Sequence, residues 1–165
     1  MYPNNKDYFK KLIPFAREII KLCNQNKIHV ILYGSFAHFY YTKQRMAVND
    51  IDLMILKKDY NKFLKLLKTN QIDFEYNLEK KEIFIKKNNL LIEVDVIGSN
   101  YSELLPSSKI KGYIQIDFYG ELVNVVNLKT IEKIYIIANN CKNKDWKKIL
   151  MRTKDFEKFL GRKIL

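Results

Sequence analysis

The sequence predicts an α/β fold of the α+β kind: a mixed, largely antiparallel sheet with helices packed on it and two more helices at the C-terminus. Three patterns predict it. Two short apolar runs, "IHVILY" at 28–33 and "IDLMIL" at 51–56, have the look of strands buried on both faces. Two longer segments, "KEIFIKKNNLLIEVDVIG" at 81–98 and "GYIQIDFYGELVNVVNL" at 112–128, alternate apolar and polar residues around a central turn. Stretches with apolar residues three and four apart flank both kinds.

Taken in order, Phe9, Leu12, Ile13, Ala16, Ile19, Ile20 and Cys23 form the apolar stripe of a helix from Lys6 to Asn26. Pro14 sits inside that stripe and marks either a kink or the true helix start. The first strand ends at Gly34-Ser35, and "FAHFYYTK" suits a short helix starting at Ser35. After the second strand, "KKDYNKFLKLLKTN" places Tyr60, Phe63, Leu64 and Leu67 on one helical side. The two alternating segments are hairpins turning at Lys87-Asn88-Asn89 and near Tyr119-Gly120. Helices over about 128–139 and Asn143–Leu160 close the chain, the second with Trp146, Ile149, Leu150, Thr153, Phe156 and Leu160 on one face. With no repeat or linker, residues 1–165 are expected to form one domain, an α/β core over 1–128 with a basic helical appendage over 129–165.

Composition narrows the classes. At 165 residues, 47% hydrophobic and 29% charged, the chain is long and apolar enough for a real core, which excludes disorder. No apolar run approaches the roughly 18–20 residues of a membrane span, and "MYPNNKDYFKK" lacks the basic-then-apolar order of a signal peptide. A cytoplasmic protein with no membrane partner is expected. Cys23 and Cys141 match no metal-ligand spacing and are expected to pack as small apolar residues.

The net charge is +12, and residues 129–165 hold 11 basic against 4 acidic side chains. Such a tail suits contact with a polyanion such as RNA or DNA. However, the basic set is nearly all Lys, with Arg only at 17, 45, 152 and 162, and Asn and Ile are abundant, so an A and T rich codon bias accounts for the same charge.

The chemistry-bearing residues are acids. In a strand, Asp50 and Asp52 project to one face while Ile51 and Leu53 enter the core. Two carboxylates so close repel unless a cation sits between them, and Mg²⁺ is a hard cation held by one or two carboxylates plus substrate phosphates. A strand-entrance turn accounts for Asn49 and Asp50 but leaves Asp52 inside an apolar run. Glu93 and Asp95 repeat the spacing, with Asp95 flanked by Val94 and Val96, so three acids on two strands are expected at one sheet edge. Gly34-Ser35, between strand and helix, suits an anion at a helix N-terminus, and equally a plain N-cap. His29 and His38 are expected to be packed or surface residues rather than ligands, and Trp146 to lie in the core.

The ordered set "LYGS" (32–35), "NDIDLMI" (49–55) and "EVDVI" (93–97) resembles the nucleotidyltransferase superfamily that includes DNA polymerase beta. Within it, the chain looks like small prokaryotic abortive-infection-type and lincosamide-type nucleotidyltransferases, with Ala37, Arg45, Asp50 and Asp52 in register with their pattern and Lys144-Asp145 echoing their C-terminal part. The resemblance implies a nucleotidyltransferase fold and transfer of a nucleoside monophosphate from an NTP to an acceptor hydroxyl. It implies Asp50, Asp52 and Asp95 as catalytic and metal-binding residues for two Mg²⁺ ions, with Mn²⁺ as an alternative, and Gly34, Ser35 and Arg45 as nucleotide-binding residues. The acceptor stays open among a small molecule, an RNA 3′ end and a protein. The competing expectation is a catalytically silent module of the same fold, an antitoxin or binding partner acting through its basic surface.

Overall fold

The computed structural model describes residues 6–43, 50–77, 82–96, 112–141 and 146–164. Its elements are α1 (Lys6–Gln25), β1 (Val30–Leu32), α2 (Gly34–Thr42), β2 (Ile51–Ile55), a 3₁₀ turn (Lys57–Asp59), α3 (Tyr60–Thr69), β3 (Phe74–Asn77), β4 (Glu82–Lys87), β5 (Leu90–Val96), β6 (Tyr113–Phe118), β7 (Glu121–Val126), α4 (Leu128–Cys141) and α5 (Trp146–Leu160). The strands form one sheet in the order β3-β4-β5-β2-β1-β7-β6. β1 is antiparallel to β2 and parallel to β7, and β2 is parallel to β5. The remaining pairs, β3 with β4, β4 with β5 and β6 with β7, are antiparallel. This is the mixed sheet the sequence predicts, with the added strand β3, which its mixed polar sequence "FEYN" did not announce.

Local chemistry sets the element ends. At the end of α1, Lys27 takes a left-handed φ of 51°, its N–H donates to the Asn24 carbonyl at 3.0 Å, and the Ile28 N–H donates to the Cys23 carbonyl at 2.9 Å. That pair of bonds is a Schellman motif, closed by the buried Cys23 and Ile28 side chains. Burial also pushes the Cys23 thiol up to about 12, as expected of a packed cysteine. Gln71, φ 52°, repeats the motif after α3, with bonds from its N–H to Lys68 and from Ile72 to Leu67. Both hairpins turn through paired left-handed residues, Asn88-Asn89 and Tyr119-Gly120, as type I′ connections require. Pro14 lies within α1 rather than at its start.

Strand alternation then sorts the side chains. Ile51, Leu53 and Ile55 of β2, Ile92 and Val94 of β5, and Ile83 and Ile85 of β4 are all completely buried. The opposite face of the same strands carries Asp52, Glu93, Asp95, Glu82 and Phe84, all only half-buried. α1 packs across β5 and β7, while α2 packs on β2 and against both α4 and α5. Among the described residues no helix is long and apolar enough to cross a membrane.

Lys27 and Gln71 are exposed and carry the cost of a left-handed backbone that glycine would not. Replacing Lys27 with Gly is expected to raise unfolding free energy by about 0.5–1 kcal/mol, read by urea denaturation at unchanged m-value.

Candidate active site

The site begins where β1 hands over to α2. The Tyr33 N–H donates to the Asp52 carbonyl at 3.1 Å, which continues the β1–β2 pairing by one residue and sets the start of α2 beside β2. Gly34 has φ +58°, and a Cβ there would lie 1.8 Å from Asp52 Oδ2 and 2.6 Å from its Cγ. Only glycine leaves room for the carboxylate. Asp52 Oδ2 accepts the Ser35 N–H at 3.2 Å, and the Ser35 hydroxyl donates to Asp50 Oδ1 at 3.3 Å. The N-terminus of α2 has no side-chain cap on Tyr33, so the Asp52 carboxylate serves one of its free N–H groups.

Strand register brings in the third acid. Asp52 lies opposite Glu93 across the parallel β2–β5 pair, and Met54 lies opposite Asp95. Among the described residues, Asp50, Asp52 and Glu93 each offer a carboxylate oxygen, and these atoms all lie within 4.8 Å of one another. Asp95 shares the face of Glu93 but stands two residues, about 7 Å, further along β5, outside that group. Its carboxylate accepts a hydrogen bond from the Tyr33 hydroxyl.

Electrostatics follow from this crowding. Burial, then the charges of Asp50 and Glu93, push Asp52 up from 3.8 to about 8, against the opposing pull of the Ser35 N–H and the Arg152 charge. Asp95 is also raised, by burial, with the Tyr33 hydrogen bond acting the other way. The Tyr33 phenol is held well above its usual range by burial and by the Asp52 and Asp95 charges.

A polar junction backs the site. The His38 ring, one turn after Gly34, is fully buried, with its Nδ1 2.6 Å from the Tyr135 hydroxyl of α4. Burial and the Arg152 charge lower His38 to about 4, so it is neutral and packed, as the sequence suggested. Phe156 of α5 lies against both rings, and Asn139 of α4 donates to the Thr153 hydroxyl of α5 at 2.7 Å.

Of the residues singled out from sequence, Gly34, Ser35, Asp50 and Asp52 converge, and Asp95 lies beside them. Arg45 and Lys144-Asp145 lie outside the described residues, as do the side chains of Cys141 and Trp146. Two contributors were not anticipated. Glu93 was visible as one of an i, i+2 pair, but only the β2–β5 register selects it as the neighbour of Asp52. Tyr33 stood in the apolar run before Gly34 with nothing to mark its hydroxyl as a partner of Asp95.

No family model matches the chain, and no curated protein matches it in sequence. Solved structures do. The chain is similar to the crystal structure of ANT(2")-Ia in complex with adenylyl-2"-tobramycin, at 12% identity and a TM-score of 0.64, over 90% of this chain and 89% of that one. It is similar to the lincomycin-bound lincosamide antibiotic adenylyltransferase LnuA, at 11% identity and a TM-score of 0.58, over 87% and 95% of the two chains. A nucleotidyltransferase-like structure from Thermotoga maritima gives 11% identity and a TM-score of 0.57, over 92% and 94%. At such identities the likeness concerns the fold: the chain has the nucleotidyltransferase fold.

Two outcomes test this geometry. Gly34→Ala is expected to lower Tm by more than about 5 °C, and adding Asp52→Ala, which removes the two closest clashing atoms, is expected to recover part of the loss in a double-mutant cycle. The second concerns pH. Because Asp52 titrates higher in the folded state than unfolded, the folded protein holds the extra proton between about pH 4 and 8, and stability falls as pH rises through that window. In metal-free buffer, Asp52→Asn is therefore expected to melt several degrees above the parent at pH 8.5, with the difference shrinking towards pH 4.

Proposed function

We propose that the protein is a metal-dependent nucleotidyltransferase that moves a nucleoside monophosphate from an NTP to a hydroxyl of a small-molecule acceptor. The observation that carries this reading is the group of three carboxylates held against the N-terminus of α2. The donor set fits a hard divalent cation: oxygens alone, close together, with one acid retaining its proton until a cation takes its place. Asp50 and Asp52 would hold Mg²⁺, or Mn²⁺ in its stead, with Glu93 as the third carboxylate and Asp95 on the side of a second ion. Bound there, the ions would neutralise the triphosphate and favour departure of pyrophosphate.

The chain's own residues position and move the proton. Once a cation draws Asp50 and Asp52, the Ser35 hydroxyl and the first N–H groups of α2 are free to receive phosphate oxygens, and Gly34 lets them approach closely. Arg45, just before the aspartate pair in sequence, is assigned to the same phosphates. The acceptor oxygen attacks the α-phosphorus, the bond from that phosphorus to the β-bridging oxygen breaks, and pyrophosphate leaves. Asp95, with a raised pKa, takes the acceptor's proton, and the Tyr33 hydroxyl holds its carboxylate in place. A small acceptor is favoured because similar structures are described with adenylyl-2"-tobramycin and with lincomycin.

The test is pyrophosphate release and NTP binding with ATP, GTP, CTP or UTP in Mg²⁺, with aminoglycoside and lincosamide acceptors. The expected result is acceptor-stimulated release that falls at least about 10³-fold in Asp52→Asn. No NTP binding, or binding that Asp52→Asn leaves unchanged, overturns the proposal. Cation binding at pH 7 is also expected to release close to one proton, measured by calorimetry in buffers of different ionisation enthalpy.

A further inference from the structure

α5, which packs on α2, carries an arginine with one guanidinium N–H that finds no acceptor among the described residues. Arg152 is half-buried on α5, and its Nε is buried without a hydrogen-bond partner among the described residues. A guanidinium N–H out of water and unpaired costs on the order of 1–3 kcal/mol, so its place calls for an acceptor. Its neighbours on α5 locate it. Thr153 is fully buried against Asn139 of α4, and Phe156, one turn after Arg152, packs on His38 of α2 with ring centroids 6.0 Å apart. His38 in turn stands one turn after Gly34, whose Cα faces the Asp52 carboxylate. The Arg152 charge accordingly acts on Asp52 as well as on His38 and Tyr135.

A lone guanidinium does not cancel three clustered carboxylates, and none of the five ion pairs among the described residues involves it. Its planar fork suits phosphate oxygens. We propose that Arg152 of α5 is a triphosphate-binding residue, reaching from behind α2 to the phosphates that the Asp50, Asp52 and Glu93 group brings in with its cation. This rests on the transferase reading and adds to it a second phosphate-binding cation, on the C-terminal helix, beside the Arg45 assigned to the same phosphates. The same residue repels a bare cation and attracts a cation-bound polyphosphate, so the two effects have opposite signs.

That opposition supplies the test. Mn²⁺ alone and Mn²⁺ with inorganic tripolyphosphate are titrated into the full chain and into Arg152→Gln and Arg152→Lys, with circular dichroism and Tm recorded for each. The expected result is that Arg152→Gln binds Mn²⁺ alone about twofold or more tighter but Mn²⁺-tripolyphosphate at least about tenfold weaker, with Arg152→Lys intermediate. Both affinities moving in the same direction, or tripolyphosphate affinity staying within twofold, overturns the assignment even if Arg152→Gln is less stable, because Arg152→Lys retains the charge and separates packing from binding. A parent protein that binds no Mn²⁺ at all overturns the reading of the acid group, and the role of Arg152 with it.

Discussion

The whole site depends on one close approach, the Asp52 carboxylate seated on the first turn of α2 where Gly34 has no side chain. Two favourable contacts hold it there, the Ser35 N–H on Asp52 and the Ser35 hydroxyl on Asp50. They are outweighed electrostatically. Each charged hydrogen bond is worth about 1.5–3 kcal/mol, whereas carboxylates within 4.8 Å repel by roughly 3–4 kcal/mol per pair at an effective dielectric near 20. The cation-free protein therefore keeps a proton on Asp52 well above the usual carboxylate range. On the proposed reading, a divalent cation would take the place of that proton and free Ser35 from the aspartates.

The sheet places the acids. β2 and β5 run parallel, so the acids of both strands point to one face while Ile51, Leu53, Ile92 and Val94 anchor the other in the core. α2 is tied to β2 by the Ser35 N–H on Asp52 and backed on its other side by Tyr135 and Phe156 on His38, with α4 bonded to α5 through Asn139 and Thr153. The C-terminal helices thus pack against the helix whose N-terminus receives Asp52, and the charge of Arg152 on α5 acts on that aspartate.

Much of this was legible in the sequence because the signals were local. Period-two alternation and paired left-handed turn residues gave both hairpins, and the i, i+2 spacing put Asp50 with Asp52 on one face. What escaped was set by register and by distant packing. Glu93 and Asp95 satisfy the same spacing, and only the pairing of Asp52 with Glu93 rather than with Asp95 separates them. The Tyr33 hydroxyl finds Asp95 across 62 positions of sequence, and the charge of Arg152 acts on Asp52 from α5, a helix that packs on α2, neither of which any local pattern encodes. β3 was missed because "FEYN" has one apolar face too short and too exposed to stand out.

The most direct measurement is anomalous diffraction from crystals grown with Mn²⁺ and a non-hydrolysable NTP analogue. The expected result is an anomalous peak about 2.0–2.3 Å from oxygens of Asp50 and Asp52, with Ser35 turned from the aspartates to phosphate. Density for the analogue elsewhere, or aspartates still bonded to Ser35 with no peak among Asp50, Asp52 and Glu93, would contradict the role assigned to these acids.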